Sequence, residues 1–322
     1  LNYVDTAYMY HDQESERLLG KALQDGYRDK VYLATKSPLG SINTVEDFDR
    51  ILEEQLRKLN TAHIDFYMFH GIGRDRWRQT VLPLGLKERM LQARAAGKIR
   101  YIGFSFHDDA EAFREIVDGW DAWDFCQIQM NYVDVHNQAT LEGMAYAASK
   151  GLGVVIMEPL LGGKLAAPSQ PVAQALRGDR TPVEWALDFM WNRPEVSVVL
   201  SGMGSPQMVE DNLIYASRSG VGMLDDTDLQ MLAHARQTYL TMAKTPCTKC
   251  RYCMPCPGGL DIPAILEAYN QSAVDEEEAA KLYQALETPA SACLACHKCE
   301  RACPQHIAVS DLLPQVHDYF TR

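Results

Sequence analysis

The sequence predicts an α/β protein in which a (β/α)8 TIM barrel is followed by a small α-helical domain. From residue 1 to about residue 244, short apolar runs alternate with amphipathic segments, which is typical of repeated βα units around a parallel sheet. No GxGxxG motif follows the first strand, as it would in an open doubly wound sheet that binds a dinucleotide. Eight of the nine cysteines lie in two short runs after residue 244. We therefore predict one domain over residues 1–244 and a second over residues 245–322.

Seven apolar runs in the first domain are predicted to be strands. They are Leu1–Val4, Val31–Thr35, Ile64–Phe69, Tyr101–Phe104, Phe125–Met130, Val154–Met157 and Val196–Leu200. A closed barrel of this type has eight βα units. We therefore expect that one further unit, of roughly 30 residues, precedes Leu1, and that Leu1–Asp5 is the second strand.

Amphipathic segments between these strands predict the helices. The second helix begins with a capping-box spacing of Thr44 and Asp47, and its apolar stripe over residues 48–59 has Gln55 as its one polar member. The first helix is predicted from a stripe of Leu18, Leu19, Ala22 and Leu23. Later helices are predicted at Leu86–Ala96, Ala110–Val117, Ala139–Lys150, Val183–Trp191, Gln207–Tyr215 and Thr227–Met242.

The net charge and the lengths of the apolar runs argue against two classes of partner. The chain has 43 acidic and 31 basic residues and a formal charge of −12 at pH 7, so no excess of positive charge is available for nucleic acid or an anionic membrane surface. The longest apolar stretches, such as Val154–Met157, are far shorter than the roughly 20 residues that span a bilayer. We therefore expect no nucleic acid and no membrane among its partners.

Polar residues stand at or just after the predicted strand ends. They are Asp5, Lys36, His70, Ser105, Gln127, Gln129, Glu158 and Ser201. In TIM barrels the catalytic residues come from the carboxyl ends of the strands, which meet at one rim. The sequence therefore predicts a polar site at that rim.

Several of the same segments resemble the aldo/keto reductase family. The run Asp5–Tyr10, followed by Ser15-Glu16 and Leu19-Gly20, resembles the opening signature of that family. Lys36 and His70 close the runs Ala34–Lys36 and Asp65–His70, which stand where the family carries its lysine and histidine, and Tyr101–Ser105 resembles its fifth-strand motif. The resemblance covers the first domain and implies an NAD(P)-dependent oxidoreductase that acts on a small carbonyl or alcohol substrate.

The resemblance implies a catalytic tetrad of Asp5, Tyr10, Lys36 and His70. This set is also reasonable on chemical grounds, because a carbonyl that receives a hydride develops negative charge on its oxygen. A phenol can protonate that oxygen when an adjacent ammonium favours the phenolate. Tyr10 would thus donate the proton, Lys36 would assist it, Asp5 would hold Lys36, and His70 would orient the substrate oxygen as a neutral donor.

The resemblance also implies contacts with a nicotinamide cofactor. Ser105 and Gln127 would contact the carboxamide, and the loop after the last strand would bind the phosphates at a helix start. The other implied contacts are Met157, Pro159, Leu160, Ser201, Gly202, Met203, Ser205, Gln207, Asp211 and Asn212.

The chain departs from the family at positions that decide the cofactor. Met157 stands where the family has an aromatic residue that stacks on the nicotinamide. Gly202 and Met208 stand where many members have a basic pair for a 2′-phosphate. The sequence therefore predicts NADP or NAD without choosing between them, and FMN stays open because barrel phosphate sites can bind it without a distinctive motif.

The two cysteine runs predict two [4Fe-4S] clusters. The first run is Cys247, Cys250, Cys253 and Cys256, and the second is Cys293, Cys296, Cys299 and Cys303. Three cysteines at steps of three, with a fourth beside a proline, suit a cubane cluster whose fourth thiolate comes from the other run. By this exchange Cys303 completes the first set and Cys256 the second, although the spacing before Cys256 is shorter than usual. Zinc is the less favoured alternative, because structural zinc sites usually take two separated CxxC pairs.

Helical periods between the two runs begin at Ile262 and at Ala279, so the module resembles the α-helical two-cluster ferredoxins. The whole architecture resembles the subgroup of aldo/keto reductases with a C-terminal 4Fe-4S ferredoxin-type domain. His297 is expected beside a cluster rather than on an iron, and Cys126 is expected to be a buried small hydrophobic residue. Because the clusters need reduced thiols during assembly, we expect a cytoplasmic location.

Three hypotheses of function follow. The first is a carbonyl or alcohol oxidoreductase that uses NAD(P)(H), with clusters that relay electrons to a redox protein partner or stabilise the second domain. The second is an electron-transfer protein whose barrel is a docking scaffold, and the third is a flavin-dependent redox enzyme. A nicotinamide delivers two electrons as a hydride and a cluster exchanges one at a time, so a relay needs a device that separates the pair.

Overall fold

A computed structural model describes all 322 residues and contains seven parallel strands in one sheet. The strands are β1 (Tyr3–Asp5), β2 (Tyr32–Ser37), β3 (Ile64–Ile72), β4 (Ile99–Phe106), β5 (Phe125–Gln129), β6 (Gly153–Met157) and β7 (Val196–Val199). Their order in the sheet is their order in the chain. A doubly wound sheet reverses its strand order at a switch point, whereas a barrel does not. The seven predicted strands and the barrel class are confirmed, and strand ends differ from the prediction by up to three residues.

Helices alternate with these strands. They are α1 (Ser15–Ala22), α2 (Val45–Lys58), α3 (Arg74–Arg76), α4 (Leu86–Ala95), α5 (Ala110–Asp118), α6 (Thr140–Ser149), α7 (Gln170–Ala175), α8 (Pro182–Trp191), α9 (Pro206–Arg218), α10 (Asp226–Met242), α11 (Ile262–Gln271), α12 (Glu276–Gln284), α13 (Lys298–Ala302) and α14 (Val309–Thr321). The capping box of Thr44 and Asp47 at the start of α2 is confirmed. No helix combines the length and the apolar composition that crossing a membrane requires.

The predicted apolar stripe of α1 is wrong at two of its four positions. Leu18 is 66% exposed and Ala22 is exposed, whereas Leu23 is buried. Glu16 and Gly20, which are not part of the predicted stripe, are buried. A Cβ atom on Gly20 would lie 2.2 Å from a carbonyl oxygen at the end of α2, so the two helices meet backbone to backbone. Glu16 is buried because it accepts hydrogen bonds from Thr35 and Gln55. Close approach and hydrogen bonds therefore set the buried face of α1, and an apolar pattern cannot show either.

One face of the sheet is apolar near the amino ends of the strands. Ala34, Met68, Phe125 and Val155 form a buried cluster there. Gly103 makes room for this cluster, because a Cβ atom at that position would lie 2.5 Å from the ring of Phe125. Side chains two residues apart share a face of a strand, so the same face continues toward the carboxyl ends of the strands.

The chain divides into two compact units. One comprises residues 1–159 and 187–223, and the other comprises residues 160–186 and 224–322. The second unit therefore includes residues that the sequence assigns to the barrel domain. The predicted domain boundary between residues 244 and 245 stays a prediction.

The second unit has its own core. Leu260, Ile265, Leu266, Leu313 and Val316, from α11, α14 and the loop before α11, are almost fully buried. The helices predicted from the periods at Ile262 and Ala279 are confirmed as α11 and α12. The acidic run 275–278 forms the N-cap and first turn of α12, and the side chain of Asp275 accepts from the amide of Glu278 as the N-cap.

Candidate functional site

The face that is apolar near the amino ends of the strands becomes polar at their carboxyl ends. Two residues after Ala34, Met68, Gly103 and Phe125 stand Lys36, His70, Ser105 and Gln127. All lie in strands of the same parallel sheet, so their side chains share one face at one end. The predicted polar rim is thus a consequence of strand periodicity and parallel pairing.

Lys36 and Asp5 form a buried ion pair at this rim. The Lys36 side chain is 1% exposed, and its Nζ donates to Asp5 Oδ1 at 2.6 Å and to the backbone carbonyl of Thr6 at 2.8 Å. Burial by itself lowers the pKa of Lys36, but the Asp5 carboxylate and Tyr10 more than offset it, so that the pKa lies above its ordinary value. Lys36 is therefore a fixed ammonium in the wall of the site.

Tyr10 and His70 face this ammonium. The Lys36 Nζ lies 4.8 Å from the centre of the Tyr10 ring, and the ring centres of Tyr10 and His70 are 6.0 Å apart in an edge-to-face arrangement. Burial, with Lys36, His107 and Arg76 nearby, lowers the pKa of His70 to about 3. The structure therefore brings the four predicted tetrad residues together, with a neutral imidazole and a charged lysine beside one phenol.

A buried polar network lies behind the lysine. Gln55 Nε2 donates to Glu16 Oε1 at 2.6 Å and to the backbone carbonyl of Lys36 at 3.1 Å, and Tyr67 Oη donates to Gln55 Oε1 at 2.8 Å. Thr35 Oγ1 also donates to Glu16, at 2.7 Å. These contacts hold β2 against α1 and α2 at the level of Lys36. Nothing in the sequence assigns this role to the four residues except the polar position of Gln55 in an otherwise apolar stripe.

The predicted carboxamide contacts lie on the next strands. Ser105 Oγ accepts from the amide of Gly71 at 2.8 Å, which joins β3 and β4 beside His70. Gln127 is 1% exposed, and its Nε2 contacts Met157 Sδ at 3.7 Å. Its Oε1 is buried without a hydrogen-bond partner. Because buried amide oxygens are nearly always paired, this atom fits an N–H donor of a bound group.

The loop from β7 to α9 has the open backbone that a phosphate site needs. Ser205 caps α9 by accepting from the amide of Met208 at 3.3 Å. A Cβ atom on Gly202 or Gly204 would meet nothing within 4 Å, so the space beside both glycines is open. Asn212 Nδ2 donates to Ser201 Oγ at 3.0 Å and thereby ties the helix to the start of the loop.

Five other predicted cofactor contacts lie on α9, in the loop before it or just after β6. Gln207 Nε2 donates to Asp211 at 2.9 Å on the surface of α9. Met203 is half-buried in the loop, while Pro159 is buried and Leu160 half-buried after β6. Leu160 belongs to the second compact unit, unlike the other cofactor candidates.

The eight C-terminal cysteines line two cavities in the second unit. One cavity is lined by Cys247, Cys250, Cys253 and Cys303. The other is lined by Cys256, Cys293, Cys296 and Cys299, together with Cys253. This is the division expected when each run exchanges its last cysteine with the other. The ligand assignment stays a prediction that this geometry supports.

Both cysteine runs adopt the same backbone turn. The second and fourth residues after the first cysteine are left-handed in each run: Lys249 (φ 59°) and Arg251 (φ 63°), then Ala295 (φ 47°) and His297 (φ 56°). Such alternation points successive amide N–H groups into one concavity, which favours anions and occurs at many Fe–S sites. An amide already donates to the first sulfur of the second run, from Ala295 to Cys293 at 3.4 Å. The donor set and the backbone therefore fit an anionic thiolate cluster.

The spacing of the side chains around these cavities favours a cluster over a single zinc ion. No three Cys, His, Asp or Glu side chains lie close enough together to hold a single metal ion, whereas zinc needs four sulfur or nitrogen atoms within about 2.3 Å of one point. A cubane spreads its ligands over four irons and tolerates wider spacing. His297 Nδ1 lies 2.9 Å from Glu300 and 3.0 Å from Ser310 rather than against a thiol.

The loop after β6 contacts the first cysteine run. Lys164 Nζ donates to the backbone carbonyl of Cys247, and a Cβ atom on Gly162 would lie 2.1 Å from the carbonyl oxygen of Thr248. The loop after β6 is thus packed on the first cysteine run, which the sequence did not indicate.

Cys126 is fully buried, as predicted, and burial raises the pKa of its thiol to about 12.

Comparison with known families agrees with this geometry. Residues 1–230 match the model of the aldo/keto reductase family. The chain belongs to this family. Residues 246–308 match the model of the 4Fe-4S dicluster domain. The chain is thus an aldo/keto reductase-type protein with an iron–sulfur domain at its C-terminal end.

Several known proteins are similar to parts of this chain. Methylglyoxal reductase YeaE of Escherichia coli is 35% identical over 111 residues, which is 34% of this chain and 36% of that protein. L-galactose dehydrogenase of Arabidopsis thaliana is 24% identical over 254 residues, which is 70% of this chain and 77% of that protein. An aldo-keto reductase of Bacillus halodurans in its holo form has a TM-score of 0.63 at 22% identity, covering 73% of this chain and 82% of that one.

A further similar structure is an aldo/keto reductase of Klebsiella pneumoniae in complex with NADP and acetate. Its TM-score is 0.61 at 24% identity, and the match covers 73% of this chain and 80% of that one. At these identities the solved structures establish the barrel alone. The chain spans about a third of the length of two curated relatives it matches, YeaE and the aldo-keto reductase YhdN of Bacillus subtilis.

Proposed function

We propose that the protein is an NAD(P)-dependent oxidoreductase that interconverts a carbonyl and an alcohol, with Tyr10 as the proton donor. The observation that supports this most strongly is the convergence of Tyr10, His70 and the Lys36–Asp5 pair at the carboxyl ends of the strands. Membership of the aldo/keto reductase family supports the same reaction class.

A nicotinamide cofactor held by Ser105, Gln127 and the loop before α9 would supply or accept the hydride. Tyr10 transfers its hydroxyl proton to the substrate oxygen as negative charge develops there, and the Lys36 ammonium stabilises the phenolate that results. The neutral imidazole of His70 donates a hydrogen bond to the same oxygen and so orients the carbonyl. Asp5 keeps Lys36 charged and in place, because without it burial would favour the neutral amine.

The residues for the two kinds of cofactor follow from the geometry above. Gln127 Oε1 would accept from the nicotinamide carboxamide, with Ser105 beside it, and the amides at the start of α9 would face the phosphates. NAD and NADP are both compatible with Gly202 and Met208. The two cysteine cavities would each hold one [4Fe-4S] cluster.

Replacement of Tyr10 tests the assignment. We expect Tyr10→Phe to lower kcat for carbonyl reduction by about 10²- to 10⁴-fold, the usual contribution of a general acid, with cofactor affinity and cluster absorbance unchanged. Tyr8→Phe is a matched control, since the Tyr8 hydroxyl donates to Glu54 away from the tetrad. Turnover of Tyr10→Phe at the rate of the Tyr8→Phe control would refute the proton-donor role.

A second candidate function is electron transfer to a redox protein through the dicluster domain. It is favoured by one observation: the two cavities share Cys253 and Ile262 as lining residues, so the clusters would be neighbours. Anaerobic addition of NADH or NADPH to the purified protein distinguishes the roles. Loss of the visible cluster absorbance supports a relay, whereas unchanged absorbance during carbonyl turnover assigns the clusters a structural role.

A further inference from the structure

Arg76 lies directly beside the proposed catalytic histidine. It is the last residue of α3, the short helix after β3, and its Nη1 donates to the backbone carbonyls of His70 at 3.1 Å and Gly71 at 3.0 Å. Gly71 is left-handed (φ 59°), and a Cβ atom there would lie 3.2 Å from Nη1. The guanidinium is therefore held against the end of β3 by two hydrogen bonds and a close contact.

Arg76 has no anionic partner, unlike the arginines on either side of it. Arg74 pairs with Asp109 at 3.0 Å, and Arg78 pairs with Glu115 through two bonds of 2.7 Å. Of the five N–H groups of a guanidinium, Arg76 uses only those of Nη1, for the two carbonyls. The side chain is exposed, yet enough protein surrounds the guanidinium that burial lowers the pKa of Arg76. The guanidinium is therefore partly desolvated yet accessible to solvent, and its Nε and Nη2 donors have no acceptor in the protein.

The charges around His70 are unbalanced. Lys36, His107 and Arg76 all act on its imidazole. The charge of Lys36 is neutralised by Asp5 at 2.6 Å, but no carboxylate pairs with Arg76. An unpaired, planar cation with several donors, fixed at the end of the strand that carries His70, is suited to a carboxylate or phosphate.

We propose that Arg76 binds an anionic group of the carbonyl substrate, so that the natural substrates are carbonyl compounds with a carboxylate or phosphate near the reacting carbon. This inference rests on the proposed function. Arg76 would act as a specificity residue: its Nη1 stays on the backbone of β3 while Nε and Nη2 take the anion. A purely structural role, in which Arg76 only braces that backbone, would affect charged and neutral substrates alike.

Matched substrates separate these roles. Phenylglyoxylate and its methyl ester share the reacting ketone and differ in charge, and glyceraldehyde 3-phosphate and glyceraldehyde form the phosphate pair. For Arg76→Gln we expect kcat/KM to fall roughly 10- to 100-fold for the anionic member of at least one pair, the range for a charge-assisted hydrogen bond, with a change of less than about threefold for the neutral member. The pair that responds identifies carboxylate or phosphate as the source of the charge.

Arg78→Gln is the control, because it removes an arginine two residues away that already has a carboxylate partner. An equal loss for charged and neutral substrates in Arg76→Gln, or the same selective loss in Arg78→Gln, would overturn the inference. Circular dichroism and iron content of both variants verify that the fold is intact.

A binding measurement tests the anion site separately from the proposed function, because it does not require that a carbonyl be reduced. Calorimetry measures the affinity of benzoate and of inorganic phosphate for the protein saturated with NADPH or NADH. Roughly tenfold weaker binding of either anion to Arg76→Gln than to Arg78→Gln supports the anion site even if no carbonyl is reduced. Equal affinity in the two variants refutes it even if neutral carbonyls are reduced well.

Discussion

The imidazole of His70 should stay neutral when the protein is acidified to pH 5. Its pKa is lowered to about 3 because the surrounding protein desolvates the imidazole and because Lys36, His107 and Arg76 lie near it. At pH 5 a histidine with this pKa is about 1% protonated, whereas one with an ordinary pKa near 6.5 is about 97% protonated. The proposed hydrogen-bond donor is therefore available in its neutral form throughout the physiological range.

This shift has a consequence for stability. Because the folded-state pKa lies below the unfolded one, the unfolded chain binds the extra proton first, and stability is lost as pH falls from about 6.5 toward 3. At pH 5 the cost is about 2 kcal/mol, and it depends little on the folded value as long as His70 remains unprotonated there. The free energy of unfolding should therefore fall less between pH 7.5 and pH 5 in His70→Gln than in the wild type.

Nuclear magnetic resonance of protein labelled at histidine Cε1 measures the protonation directly. The His70→Gln variant assigns one of the nine histidine signals, and we expect that signal not to titrate between pH 8 and pH 5. A midpoint between pH 6 and pH 7 for this signal would show that the imidazole is not shielded from water, and the neutral-donor role would have to be abandoned.

Two other predictions concern the cofactors. Replacing the buried, unpaired acceptor in Gln127→Leu should weaken NADH or NADPH binding roughly tenfold, as loss of one buried hydrogen bond does; an unchanged Kd in a fluorescence titration would mean that Gln127 does not contact the carboxamide. Iron analysis tests the exchange of ligands between the runs, with Cys126→Ser as the control that keeps all its iron. The double variant Cys250→Ser/Cys303→Ser changes two residues that line only one cavity and should lose about half of its iron, whereas Cys256→Ser/Cys303→Ser should lose nearly all of it. Equal losses in the two double variants would contradict the assignment.

Much of the fold was predictable because it depends on local periodicity. The strands are short apolar runs with turn residues between them, and their order in the sheet follows from right-handed βα connections between neighbours. The polar ends of these runs identified Lys36, His70 and Gln127 as rim residues, since a strand places every second side chain on the same face. Tyr10 came from the family resemblance and not from periodicity, because it lies in a loop.

Other parts of the site depend on contacts between segments distant in the chain. The sequence alone would place Glu16 on the polar surface of α1. In the structure Glu16 is buried, because Thr35 and Gln55 donate hydrogen bonds to its carboxylate. Arg76 is one of three arginines within five residues, and only the folded chain shows that the other two have carboxylate partners. Charge pairing depends on the distances between atoms, which a residue pattern does not contain.

The sequence by itself determined that a parallel sheet carries a row of polar residues at its carboxyl ends, and that eight cysteines lie in two runs of four. Both properties follow from spacing along the chain, which is the same before and after folding. Only the tertiary structure decided which charges are neutralised, which acceptors stay unpaired and which loop covers the first cysteine run. These depend on burial and on distances of a few ångströms, because the energy of a charge or a hydrogen bond is set by its nearest neighbours and by its access to water.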